Sequence, residues 1–303
     1  IGTLVVDSFS GLLLLRGLQG IGSASPRIVG IAVVRDKFEG RDMARVMSFV
    51  MMVFILLPML APAMGSGLLV LGSWHLIFVA LLLFGAAIAV WVQIRLPETR
   101  PPEKREPLSL RWLGHALYQT VTNRETLGYT IATAFIFGPL LGYINSAQQI
   151  FIEVLDVGEL FPVFFALISL ALAAAAFVNG RLVVRIGMRP LSHAALVGFV
   201  LVAVIHLTVV LMTDGPPTIW LFSAFLAANL FCFGMMMPNF NAMAMEPLGR
   251  IAGVAASFVG AITTAGAAVS GWYIGHLYDG TIVPLIGAYV VLCSRSLIVI
   301  LTT

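Results

Sequence analysis

From Val46 to Ile94 the chain carries no Asp, Glu, Lys or Arg, and five more such runs follow: Thr126–Ile152, Leu160–Gly180, Pro190–Thr213, Gly215–Met245 and Ile251–Tyr278. About 20 apolar residues suffice to cross the hydrocarbon core of a bilayer. Each run is therefore long enough for one crossing, and the first is long enough for two, with its turn at Gly72-Ser73-Trp74-His75. Adding Leu12–Val34 and Thr281–Leu301 gives nine expected spans. With 60% hydrophobic and 10% charged residues and a mean hydropathy of +1.02, the chain falls outside the range of soluble domains of its length. The fold class expected is an all-α polytopic membrane protein.

The loops give an orientation. Arg35–Arg45 holds Arg35, Lys37, Arg41 and Arg45; Arg95–Arg124 holds six basic residues; Arg181, Arg185 and Arg189 crowd a third segment; Arg250 lies in a fourth. Between them, Asp7–Ser10, Gly72–His75, Glu153–Glu159, Asp214–Pro217 and Asp279-Gly280 hold no Lys or Arg. Basic and base-free loops alternate along the chain, as the positive-inside rule requires, so the basic loops and the C-terminus are expected on the cytoplasmic side. The net charge of +3 is then a topology signal, and nucleic acid need not be invoked as a partner. The first residue is Ile1, and Ile1–Val6 is too short for a span or signal peptide, so it reads as the end of a helix that begins upstream. Three spans precede the long Arg95–Arg124 loop and six follow. A transporter of two six-helix halves would place about three further helices ahead of this chain.

Leu12–Gly67 has the features that matter for chemistry. Arg16 and Arg27 sit inside its first apolar run, where a charge is costly and by default marks a pathway or relay. Eleven residues make almost three helical turns, so the two arginines share a face. Arg16 either polarises a neighbouring helix or snorkels to the outer interface; Arg27 either faces a cavity or reaches the inner interface. The second run carries Pro58, Pro62, Gly65 and Gly67, tolerated in a spanning helix and suited to close packing with a bend.

Here the residues resemble a family. Arg16-Gly17-Leu18-Gln19-Gly20-Ile21-Gly22 is similar to the R-x-x-Q-G-x-G signature of the fourth helix in major facilitator drug:proton antiporters. Pro58–Gly65 resembles the antiporter motif of their fifth helix, with Ala61-Pro62 and Gly65-Ser66 where the full motif has Gly-Pro and Gly-Gly. Arg35-Asp36, Met43–Ser48 and Ala61-Pro62 look most like the bicyclomycin-resistance (Bcr/CflA) subfamily, with further likeness at Pro238-Asn239, Ala252-Gly253 and Asp279-Gly280-Thr281.

The resemblance implies a major facilitator fold lacking about three N-terminal helices. Residues 1–95 would be the rest of the N-terminal bundle, 96–126 a cytoplasmic linker and 127–303 the C-terminal bundle. It implies a secondary transporter in the bacterial inner membrane, exporting small amphipathic compounds in exchange for protons by alternating access. Arg16, Gln19, Gly20 and Arg27 would serve proton coupling, and Pro58, Pro62, Gly65 and Gly67 the pivot. Arg35, Asp36, Arg41 and Arg45 form either a plain solvated turn or a charge lock on the inner gate. The proton-carrying acid is expected upstream, because no acid here lies deep in a span.

A polar seam in the C-terminal half is a candidate cavity lining: Tyr143, Asn145 and Gln148, with Met236, Asn239 and Asn241. Methionine repacks easily around varied apolar ligands; the alternative is that the asparagines bind helices together and the methionines face lipid. His206 is mid-span and expected to be hydrogen-bonded inside the bundle. Cys/His metal spacing and phosphate-cradling glycine loops are absent from the sequence, so no cofactor or metal is expected and the chain does not read as an enzyme. The expected partners are a small-molecule substrate, protons and lipid, and the expected state is a monomer. A metabolite transporter of the same superfamily and a non-transporting receptor or scaffold remain as alternatives.

The orientation is directly testable. A cysteine at Arg185 should resist an impermeant thiol reagent applied outside the cell, and one at Gly215 should react; labelling at Arg185 from outside would reverse the topology.

Overall fold

In the computed structural model, the expected spans are helices. The structure describes residues 2–6, 8–38, 40–97, 109–213 and 215–303. The side chains at 24–25, 27–28, 31–32, 35–36, 40–45, 47–49, 51–52, 54–56, 58–59, 249–250 and 252 fall outside that description. The chain forms two compact units, Ile1–Pro107 and Leu108–Thr303.

The first unit holds α1 (Phe9–Lys37), α2 (Gly40–Leu71) and α3 (His75–Arg95). Ser8 caps α1, its side chain accepting from the Gly11 amide at 3.2 Å. The break between α2 and α3 falls at the turn the sequence marks. Both α1 and α2 overrun their expected spans, leaving only residues 38–39 between them where a loop over 35–45 was expected. A bilayer demands some 20 apolar residues, but a helix already nucleated extends cheaply through the polar residues beyond. Along α3 no residue is buried; Leu83, Trp91 and Ile94 are exposed, although the helix is apolar on every side. Such a surface is suited to lipid or to other helices.

The second unit holds α4 (Leu110–Thr122), α5 (Arg124–Gln149), α6 (Phe161–Ile186), α7 (Met188–Met212), α8 (Ile219–Met245), α9 (Ala252–His276) and α10 (Val283–Thr302). Helix α5 packs against α8, α9 and α10; α8 also packs against α6 and α7, and α10 closes onto α7. This gives a row α9-α5-α8-α6 with α10 and α7 behind it. Ile136, Phe199, Phe222, Leu226, Phe240 and Ile286 fill the space between the rows and are buried. Seven helices among the described residues (α3 and α5 to α10) are long and apolar enough to cross a membrane. Helices α1 and α2, at 29 and 32 residues, exceed the necessary length.

Glycine sets the closest packing. Gly138 and Gly142, four apart on α5, face α9: a Cβ at Gly138 would lie 2.6 Å from the Ser270 Cβ, and one at Gly142 would lie 2.7 Å from the Ile274 Cδ1. From the other side, a Cβ at Gly271 would meet the Leu141 Cβ at 2.8 Å and its carbonyl carbon at 3.1 Å. Lipid tails are as apolar as leucine, so helices gain little by hiding apolar side chains from one another, and close backbone approach replaces that gain. Hydroxyls inside the bundle turn back on their own helices: Thr130 donates to the Thr126 carbonyl, Thr133 to Tyr129, Ser146 to Gly142 and Ser169 to Phe165. Where 181–189 was expected to be a loop, α6 and α7 run through it and are joined by Gly187 alone, at φ +89°, a conformation that favours glycine.

Gly271→Leu should therefore lower stability by about 1–3 kcal/mol, the range for overpacked sites. Gly260→Leu, at an exposed position where a Cβ meets nothing within 4 Å, should leave it unchanged. Thermal unfolding of the two variants in detergent checks the difference.

Candidate functional site

In the first unit, α1 places Arg16 and Gln19 three residues apart, which brings them onto one face of the helix. Arg16 Nη1 donates to Gln19 Oε1 at 3.0 Å. The Arg16 guanidinium carbon also stands 5.9 Å from the centre of the Phe78 ring of α3, within cation–π range. Both Arg16 and Gln19 are exposed. A Cβ at Gly17 or Gly20 would meet nothing within 4 Å, so the backbone beside the pair is unobstructed. A guanidinium has five donors in a fixed fork; one is engaged by Gln19. The pair can thus present a fixed cation together with a polar amide beside an aromatic ring.

Pro62 and Gly65 are half-buried on α2 and Gly67 is exposed; a Cβ at either glycine would meet nothing within 4 Å. The side chains of Arg27, Arg35, Asp36, Arg41, Arg45 and Pro58 lie outside the described residues.

In the second unit the six seam residues separate. Tyr143 is buried and stacks on Phe165 of α6, with ring centres 5.5 Å apart and planes 12° apart. Met236 is buried in the core of α8. Asn239 is buried too: its Nδ2 donates to Asn179 Oδ1 of α6 at 2.8 Å and to the Met235 carbonyl at 2.8 Å. Half-buried Asn241 donates to the Met237 carbonyl at 3.0 Å. Asn145 and Gln148 are exposed near the end of α5. Tyr143, Met236 and Asn239 thus share the bundle interior, and Asn145 and Gln148 do not.

His206 corrects its expectation. It is buried, but neither ring nitrogen has a hydrogen-bond partner among the described residues. Its ring lies flat against Phe225 of α8, with centres 4.6 Å apart and planes 10° apart, and beside Phe222 at 5.7 Å. Aromatic stacking, not a hydrogen bond, holds it.

Several polar groups escape a reading based on charge-free runs. Asn229 is buried with both amide atoms unpartnered among the described residues, as are the hydroxyls of Tyr143 and Tyr289. Asparagine carries no charge, so it leaves no gap in an apolar run. Arg295 lies inside the run 281–301 and is exposed on α10. At one end of the unit, Arg189 of α7 pairs with Glu125 of α5, and Arg124 donates to the Thr302 carbonyl of α10. At the opposite end, the Thr281 hydroxyl and amide donate to Asp279, at 2.7 and 3.0 Å. The hydroxyl bond first, and the amide bond with it, hold the Asp279 carboxyl below the usual carboxylate range.

The family profile described as the Major Facilitator Superfamily matches residues 1–271. The chain belongs to the Major Facilitator Superfamily. It is a multi-pass membrane protein; transporters of this superfamily are not enzymes, and their substrates are small molecules. Similar proteins include the bicyclomycin resistance protein homolog of Haemophilus influenzae Rd, 29% identical over 95% of this chain and 72% of its own length. The MFS-type transporter YdgK of Bacillus subtilis 168 is 29% identical over 82% of this chain; the match spans 62% of that relative. The multidrug resistance protein MdtL of Klebsiella pneumoniae is 26% identical over 98% of this chain and 73% of its own length. These similarities support placing the chain with the Bcr/CflA type within the superfamily.

The Asn179–Asn239 bond ties α6 to α8 in this superfamily member. Asn179→Leu should cost about 0.6–2 kcal/mol, the range for hydrogen bonds between spanning helices. Asn179→Leu combined with Asn239→Leu should cost little more than the single change, because no amide is then left stranded. Thermal unfolding of the single and double variants measures the coupling.

Proposed function

We propose that the protein is a secondary transporter that exports small amphipathic compounds in exchange for protons by alternating access. The observation that carries this reading is the Arg16–Gln19 pair beside Phe78. An ion inside an apolar span is retained at a cost, and its fixed charge can depress the pKa of a carboxylate brought near it. The names of the bicyclomycin-resistance and multidrug-resistance relatives support a drug-like substrate class. Residues 1–95 would act as part of one helical bundle, 96–126 as a cytoplasmic linker and 127–303 as the second bundle. The protein would sit in the bacterial inner membrane as a monomer, with its C-terminus in the cytoplasm, exchanging substrate and protons and binding no nucleic acid. Gln19, Gly20 and Arg27 would support Arg16 in coupling, and Pro58, Pro62, Gly65 and Gly67 would form the pivot. Arg35, Asp36, Arg41 and Arg45 would form the inner gate lock, and Tyr143, Asn145, Gln148, Met236, Asn239 and Asn241 the cavity lining.

Substitution at Arg16 in the full-length protein tests the coupling role. Lysine keeps the charge but lacks the planar fork that holds Gln19. Arg16→Lys should insert normally and reduce efflux of a fluorescent cation under an imposed pH gradient by about tenfold, equivalent to ~1.4 kcal/mol; Arg16→Ala should abolish it. Wild-type rates in the lysine variant would reduce Arg16 to an interfacial anchor.

A further inference from the structure

At 1.5 Å per residue the 20 residues of α10 make about 30 Å, the thickness of the hydrocarbon core, so each of its ends stands at a membrane boundary. Arg295 is the one charged residue along this helix. It precedes Thr302 by seven positions, so its Cα lies about 10 Å inside the boundary. Charged residues at such depth almost always face the bundle interior or a water-filled cavity and pair with one another or with backbone carbonyls. Arg295 departs from that pattern. The interior side of α10 is taken by Tyr289, Cys293 and Ser296, whereas Arg295 is exposed. Its guanidinium makes no ion pair or hydrogen bond among the described residues. The exposed residues beside it, Val291 and Ile298, are apolar.

Seven residues close to within about 20° of two full turns, so Arg295 and Thr302 share a face of α10. A second cation meets that face. Arg124, exposed at the start of α5, donates to the Thr302 carbonyl. This bond holds its guanidinium at the boundary and engages one of its five donors. The Arg295 stem can carry its head along the helix toward the same boundary while its methylenes stay in the apolar layer. Two guanidinium groups therefore converge on one patch. The neighbouring carboxylate, Glu125, is paired with Arg189. The hydroxyls of Thr302 and Thr303 are turned back onto the Ile298 and Val299 carbonyls. Among the described residues, no other side chain balances the two charges.

We propose that Arg124 and Arg295 form a binding site for the phosphate of an anionic phospholipid whose acyl chains lie along the Val291–Ile298 flank. Charge complementarity selects this occupant. A guanidinium matches phosphate bidentately, and basic pockets at the ends of spanning helices hold anionic headgroups. A zwitterionic lipid carries its own ammonium and offsets less of the charge, and a water-soluble anion would leave the apolar flank uncovered. The inference rests on the chain spanning a bilayer but not on proton exchange, so each can fail while the other stands.

The test uses the full-length protein, with Cys232 and Cys293 replaced by alanine, in vesicles of phosphatidylethanolamine and phosphatidylglycerol. A bimane fluorophore is carried on a single cysteine at Ile298 or, as a reference, at the exposed Ile205 of α7. Either lipid is supplied with brominated acyl chains, which quench the fluorophore by contact. At equal mole fraction of brominated lipid, phosphatidylglycerol should quench the Ile298 label about fivefold more than phosphatidylethanolamine, and the Ile205 label equally. Arg295→Leu, which takes a charge out of an apolar span and should insert readily, should bring the ratio at Ile298 to about one. Arg124→Gln should lower it part of the way. Equal quenching by the two lipids at Ile298 with both arginines present, or an unchanged ratio in either variant, would overturn the proposal. Absence of quenching by both would mean that a second copy or another protein covers Arg295, and would overturn it as well. Excess inorganic phosphate should leave the ratio unchanged; its collapse would make this a site for free anions, and the lipid assignment would fall.

Discussion

The second unit depends on two backbones meeting where no side chain fits between them. Gly138 and Gly142 on α5 and Gly271 on α9 leave no room for a Cβ. This contact fixes α5, and α5 in turn positions α8 and α10. Ser296 of α10 donates to the Ala132 carbonyl of α5 at 3.1 Å, a bond that needs α10 to lie equally close. In an apolar solvent such ties carry more of the organisation than burial does, because exposing leucine to lipid costs little. The exposed apolar surface of α3, which would be a liability in water, is an ordinary consequence of that solvent.

Much of the fold was legible because the bilayer imposes a simple rule on sequence: stay uncharged for about 20 residues, or do not cross. Nine expected spans, drawn from eight charge-poor runs, became nine long helices among the described residues, with the break between α2 and α3 at the turn the sequence marks. What that rule cannot see is helix that does not cross. Helix α4 lies within a stretch that reads as a charged, proline-broken linker, and its signal was the spacing of Leu110, Leu113, Leu117 and Val121 rather than their number. The same blindness hid the extensions of α1, α2, α6 and α7 into their basic loops.

The candidate site was legible locally and not beyond. Arg16 and Gln19 meet because residues three apart meet on any helix, so the motif itself contains the geometry. Tyr143, Asn145 and Gln148 are neighbours in sequence, but steps of two and five residues turn a helix by about 200° and 140°. One is therefore buried and the others exposed. Asn239 finds Asn179 sixty positions away, and His206 finds Phe225 on another helix. No periodicity within a single span encodes such partners.

The ties in the second unit are unevenly distributed along its length. At one end Gly187 joins α6 to α7 without slack, Arg189 is clasped to Glu125, and Arg124 donates to the Thr302 carbonyl of α10. At the other end, the described polar link between helix termini is Tyr278 to Glu153, at 3.4 Å. The two ends are thus fastened by different means: polar clasps between helix termini at one, and the glycine contact of α5 with the last turns of α9 toward the other. A change of charge or hydration at the first end acts on α5, α7 and α10 together, whereas the second is held by shape and is indifferent to both.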